Sequence, residues 1–148
     1  MEYPVNESLQ KHIWTQDHCV DLNASAKDIW PWLAQMGNGR AGWYSYDWLD
    51  NLGRKSFTSI DPKLTAVQRG QKITLAVISD LQENKFITFQ FGSTITFTYY
   101  LQDLNQKTRL WTRMRVPNAN WLVKSFLGVG HKIMQDKQFL EIKKRVER

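Results

Sequence analysis

Between Gly70 and Val116 the apolar residues of this 148-residue chain return at every second position, and that period dictates strands. The segment TITFTYYL (94–101) is the clearest: Ile95, Phe97, Tyr99 and Leu101 project one way, Thr94, Thr96, Thr98 and Tyr100 the other. KITLAVI (72–78) and KFITFQF (85–91) are strand-like as well. In TRLWTRMRV (108–116), Leu110, Met114 and Val116 oppose Arg109, Trp111, Arg113 and Arg115. The joining segments LQENK, FGS and QDLNQK are short turns, so the neighbours they connect run antiparallel.

The flanks have other periods. Ile13–Leu22 (IWTQDHCVDL) is rich in β-formers, although neither face is clean. In NASAKDIWPWLAQMG, Ser25 followed three residues later by Asp28 is a capping-box-like start, and Gly37 is a stop. Ile29, Trp32, Leu33 and Met36 then share a helical face, and Pro31 either starts or kinks the helix. Ser45 can cap a second short helix, YDWLDNL, ended by Gly53. The chain closes in a long helical stretch from Asn118. Leu122, Phe126, Val129, Ile133 and Leu140 lie on one face of it, with Phe139, Ile142 and Val146 on a second stripe. Gly128 and Gly130 each cost about 1 kcal/mol against Ala there, to be offset by close packing or by room left for a ligand. No repeat or linker divides the chain, so one domain is expected.

A chain this long buries roughly two-thirds of its unfolded surface. Its 13% aromatic content and seven Trp fit a bulky core or the wall of a cavity for an apolar ligand. A single cysteine, Cys19, excludes an internal disulfide and suits a reducing cytosol. The opening MEYPVNESLQKH is too polar for a secretory leader, and no apolar run approaches the ~20 residues of a membrane span. A cytoplasmic protein is expected. The net charge of +6 permits contact with nucleic acid or an anionic membrane without demonstrating either.

The stretch GNGRAG (37–42) matches G-x-G-x-x-G, the dinucleotide fingerprint. That loop must follow a strand and open a long helix, whereas here a helical segment precedes it and antiparallel strands follow. No metal centre is expected. His12 and His18 on one strand would stand about 20 Å apart, His131 is alone on the last helix, and His18 and Cys19 face opposite ways. Asp47 and Asp50, three apart on a short helix, are a possible acid–base pair, although Asp50 with Arg54 is a plain ion pair. EIKKRVER reads as a solvated face with Glu141 paired to Arg145. Arg109, Trp111, Arg113 and Arg115 would suit a nucleic-acid face, an ordinary exterior face, or (for Arg113 turned inward) an anchor for an anionic headgroup.

The order of elements, with the motifs IWPWLAQMGNGRAGWYSYDWLDNLG, TRLWTRMRV and HKIMQDKQFLEIKKRVE, resembles the SRPBCC superfamily (START-like, Bet v 1-like and polyketide cyclase-related proteins), and within it an uncharacterised bacterial subgroup. The resemblance runs from Asp21 to Glu147 and departs from the subgroup at Phe139–Lys143, where a glycine is expected. It implies an α+β helix-grip fold over residues 1–148. A curved antiparallel β-sheet wraps around the long C-terminal α-helix, with two short helices after the first strand.

It also implies a cavity between sheet and helix for a lipid, polyketide or similar hydrophobic or amphipathic molecule. Expected at that cavity are Trp43, Tyr44, Tyr46 and Trp48 near its entrance, Phe126 and Met134 from the helix, and Phe97 and Tyr99 from the sheet. Arg40 or Arg113 would anchor a polar group. Core packing is the plainer account of each aromatic taken singly. No cofactor and no catalytic constellation is expected. A cyclase, dehydratase or hydrolase using Tyr44, Tyr46, Asp47 and Arg40 is the alternative, and nucleic-acid binding through the basic face is the third and least favoured.

Overall fold

The computed structural model describes residues 13–148. The first strand, β1, spans Ile13–Leu22 as the sequence suggests. Helix α1 (Ala26–Ala34) opens with a complete capping box between Ser25 and Asp28, and it carries Pro31 within it. Two one-turn helices follow, α2 (Asp47–Asp50) and α3 (Pro62–Thr65). The expected second helix thus shrinks to a single turn, and Ser45 does not cap it. Its hydroxyl donates to the Met134 carbonyl instead, 3.0 Å away. Asp61 accepts from the Lys63 amide and caps α3.

The segment KITLAVI is two strands. β2 (Lys72–Ile73) turns at Thr74 and Leu75 into β3 (Ala76–Gln82), so the run of apolar residues hides a tight hairpin. Then come β4 (Phe86–Phe91), β5 (Ile95–Asp103), β6 (Thr108–Pro117) and the long helix α4 (Trp121–Val146). The six strands form one antiparallel sheet in the order β1-β6-β5-β4-β3-β2. The chain's first strand therefore closes on its last.

Strict alternation in β6 fixes which face is which. Thr108, Leu110, Thr112, Met114 and Val116 are buried, and the residues between them are half-buried. Opposite them on β1, Gln16 donates to the Gly128 carbonyl of α4, so the even-numbered face of β1 looks at the helix. Fully buried Leu22, Ile29, Leu33, Ile78, Ile87, Phe89, Leu110 and Ile142 make the core between this inner face, α1 and the C-terminal half of α4.

GNGRAG is a backbone device. Gly37 and Gly42 exchange both N–H to carbonyl bonds at 3.1 Å around a tight reversal. Gly42, at φ +83, lies against Ser56 and Asn51, leaving no room for a Cβ. No nucleotide loop is present, because the glycines join α1 to α2.

Candidate functional site

A run of rings crosses the inner face beneath the first half of α4. Trp43 meets Phe91 at 5.6 Å between centroids, Phe91 meets Phe97 at 5.3 Å, and Phe97 meets His131 at 5.4 Å. His131 meets His18 at 5.5 Å. His131 is therefore not alone: folding α4 over β1 brings together two histidines that lie 113 positions apart in the sequence. His12 lies outside the described residues. Among the described residues no three His, Cys, Asp or Glu side chains converge as metal ligands.

Several polar atoms at this face are buried without a hydrogen-bond partner: Nε2 of His18, Oγ1 of Thr112 and both carboxyl oxygens of Asp50. His18 and Thr112 are directly opposed in the β1–β6 register, and Thr112 is opposed in turn to Tyr99 of β5. Asp50 lies near enough to disturb the Tyr99 phenol. The large majority of buried side-chain polar atoms are paired, so such a group of orphans needs an explanation.

Burial, then the neighbouring Asp47 carboxylate, pushes Asp50 up to about 6. Its own backbone and Ser45 pull weakly the other way, but the Ser45 proton goes to Met134. Burial, with help from His18, pushes His131 down to about 4. Burial likewise lowers His18, with Asp136 opposing and Lys132 assisting. Both imidazoles are thus held neutral near pH 7, each with one nitrogen able to accept.

The second half of α4 walls this region with a satisfied network. Tyr99 donates to Gln138 Oε1 at 3.1 Å, Gln135 donates to the same oxygen at 2.8 Å, and Gln138 Nε2 donates to the Trp43 carbonyl at 2.7 Å. Burial raises the Tyr99 phenol, which stays protonated.

The expected site residues divide accordingly. Phe97 and Tyr99 lie on the inner face, Trp43 joins the ring run, and half-buried Met134 lies where the α2 segment touches α4. Trp43 is a wall residue, edge-on to Phe89 at 5.2 Å, with its indole N–H on Asn38. Tyr44 is 1% exposed in the core, donates to the Trp32 carbonyl and has the Arg145 guanidinium 4.7 Å above its ring. Tyr46 is the half-buried residue before α2, and Trp48 is 73% exposed. Arg40 donates to the carbonyls of Ala34, Gln35 and Leu64, tying the loops together. Arg113 sits on the sheet face turned away from α4, bidentate to Asp17 at 2.7 Å. Phe126 is 82% exposed on the outer side of α4.

Of the residues considered for acid–base chemistry, Asp47 is occupied by the Ser56 amide and hydroxyl. Asp50 has no ion pair with Arg54. Its side chain turns inward, which periodicity does not reveal, since a helix of one turn has no face to read. The Glu141–Arg145 pair forms at 2.8 Å, but Arg145 is buried and donates to the Phe57 carbonyl, so this is no solvated face. On the outer sheet face Arg109 is paired to Asp21 and Arg113 to Asp17, which leaves little of the basic stripe for nucleic acid. A pocket of about 420 Å³ lies apart from all of this, on the β2–β3 hairpin beside Gln90 and Gly92. Its one charged side chain is Lys72.

The sequence matches no protein-family model and no curated protein. Solved structures do match. Protein MLL2253 from Mesorhizobium loti superposes with a TM-score of 0.56 at 14% identity, over 90% of this chain and 98% of that one. Protein CV1439 from Chromobacterium violaceum gives 0.56 at 13%, over 90% and 97%. The di-domain ARO/CYC StfQ from the steffimycin biosynthetic pathway gives 0.53 at 9%, over 92% of this chain and 51% of that one. Identities this low bear on the fold alone: an α+β helix-grip arrangement of one antiparallel sheet with a long C-terminal helix is what this chain shares with these structures.

Proposed function

We propose that this chain binds a small amphipathic molecule between the inner face of the sheet and the first half of α4. The observation that supports it most is the set of buried, unpartnered polar atoms on Asp50, His18 and Thr112 next to a run of aromatic rings. Rings accept the apolar body of a ligand, and the orphaned atoms accept hydrogen bonds from its hydroxyl or amine groups. The anchor is then an acceptor set. That differs from the cationic anchor expected of Arg40 or Arg113, both of which are spent elsewhere.

Native mass spectrometry of gently purified protein, with thermal shift against fatty acids, hydroxylated aromatics and polyketides, tests the reading. Retention of a hydroxylated ligand by the wild type, and at least tenfold weaker binding by Asp50→Asn and His18→Phe, is expected. No retained ligand and no shift across the panel would sink it.

Acid–base turnover in the same place is the second reading, and one observation favours it. A carboxyl pushed up to about 6 by burial exchanges protons near neutrality. Of the Asp47–Asp50 pair, Asp50 then takes the acid–base role, since Asp47 is held by Ser56. Conversion of a bound polyketide that vanishes in Asp50→Asn while binding persists would separate this reading from simple carriage.

A further inference from the structure

The outer side of α4 carries side chains that a water-facing helix does not need. Trp121 is 73% exposed, Leu122 58%, Phe126 82%, Val129 67% and Ile133 53%. At the spacing 122, 126, 129, 133 they form one stripe over three turns, and Leu140, 49% exposed, extends it. No described residue covers the stripe. The α2 segment adds Trp48, Leu49 and Leu52, at 73%, 53% and 81% exposed. The Ser45–Met134 hydrogen bond ties that segment to α4 immediately after Ile133. Scattered exposed apolar residues need no account, but a continuous row of Trp, Phe, Leu and Ile marks a contact surface.

Charge selects the occupant. From Trp121 to Arg148 the chain has seven Lys and Arg against three Asp and Glu, a net +4 of the +6 carried by the whole chain. Lys132 and Lys137 lie on opposite flanks of the stripe, with Lys143 and Lys144 beyond Leu140. The Lys132–Asp136 bridge is exposed on both sides, and Lys143 and Lys144 are about half-exposed where they meet Glu147 and Glu141, so these cations remain open to other anions. A second copy meeting the stripe would set +4 against +4. An anionic lipid surface instead gives the apolar stripe hydrocarbon and its flanks phosphate, the arrangement of a helix lying in the membrane interface.

We propose that the outer face of α4, with the exposed side chains of α2, docks the protein onto anionic lipid membranes. Among the described residues no helix is long and apolar enough to cross a bilayer, and the contact proposed is with the surface.

Sedimentation of the full chain with vesicles of phosphatidylcholine, alone or with 30% phosphatidylglycerol, is the test. Binding at least tenfold stronger to the anionic vesicles, weakening as salt rises, is expected. Phe126→Ser combined with Ile133→Ser should lower it by tenfold or more with little change in melting temperature, since Phe126 is 82% and Ile133 53% exposed. Lys132→Gln combined with Lys137→Gln should flatten the salt dependence. Failure to bind anionic vesicles at low salt overturns the proposal. So does equal binding by the Phe126/Ile133 variant. A concentration-dependent dimer that this variant abolishes, without vesicle binding, would assign the face to a second copy instead.

Discussion

Between Trp121 and Ile133, α4 shows most of its large apolar side chains to solvent; between Gln135 and Val146 only Leu140 of them stays exposed, and Phe139 and Ile142 are buried. Phe139 and Ile142 of the second half enter the core, and the polar residues buried beside them are all satisfied. Gln135 and Gln138 close the network around Tyr99, and Arg145 spans the Phe57 carbonyl, Glu141 and the Tyr44 ring. The first half holds on through a few polar contacts, chiefly Gln16 to the Gly128 carbonyl and His131 to Gln16. One continuous helix thus has an anchoring half and a covering half. The lesson is that the covering half can meet a ligand below and a surface above because the anchoring half supplies the fold's stability.

The largest effect should come from breaking that contrast directly. Ile142 is fully buried, and Ile142→Ala should cost about 2–5 kcal/mol through lost burial and an unfilled cavity. Phe126→Ala, one of the largest truncations available on the same helix, should stay within about 0.5 kcal/mol because the ring is 82% exposed. Urea denaturation of both variants measures the difference. Equal losses would mean that the covering half is as much a part of the core as the anchoring half.

Titration sharpens the comparison, with an intermediate effect. Asp50, on the segment tied to Met134, is raised from 3.8 to about 6, and His131, in the covering half, is lowered from 6.5 to about 4. Between pH 4 and 6 the folded state binds more protons than the unfolded one at Asp50, so that carboxyl loses stability as pH rises. At His131 the unfolded state binds more between pH 4 and 6.5, so stability rises with pH and is lost on acidification; His18 adds in the same sense. The opposed slopes partly cancel in the wild type. Asp50→Asn should leave the histidine slope alone, a gain on the order of 1–2 kcal/mol from pH 4 to 6.5 after allowing for solvent screening. His131→Gln should tilt the profile the other way. Denaturation midpoints across that range decide it, and an Asp50→Asn profile parallel to the wild type would refute the burial of Asp50.

Much of the fold was legible in the sequence because alternation and caps are local. The Ser25 capping box, the Ile13–Leu22 strand and the period-two run of β5 and β6 all appear where the residues place them. The β2–β3 hairpin was not legible, since Thr74 and Leu75 carry none of the usual turn chemistry. The candidate site was legible in part. Strand parity puts Phe97 and Tyr99 on one face without saying which face turns inward, whereas His18 with His131 depends on where a helix lands on a sheet. Asp50 depends on how a single turn is held. The two stripes of α4 are visible in the sequence, but periodicity does not say which of two apolar faces turns inward. Partners for Gln135, Gln138 and Arg145 decided that, and those contacts lie far away in sequence.

The smallest effect concerns the glycines of the covering half, which the anchoring half lacks. A Cβ on Gly130 would meet nothing within 4 Å, and one on Gly128 would touch the Trp14 ring at 3.8 Å, an ordinary contact. Neither glycine is needed for space, so each merely makes the helix easier to unwind. Gly130→Ala should therefore stabilise the protein by about 0.5–1 kcal/mol, visible as a small rise in melting temperature. If the covering half must loosen to admit a ligand, the same variant should take up ligand more slowly while holding it no less tightly at equilibrium. Stopped-flow uptake beside a thermal melt separates the two effects. A higher melting temperature with unchanged uptake would leave the covering half a rigid lid over its site, and ligand entry would then have to run past α2.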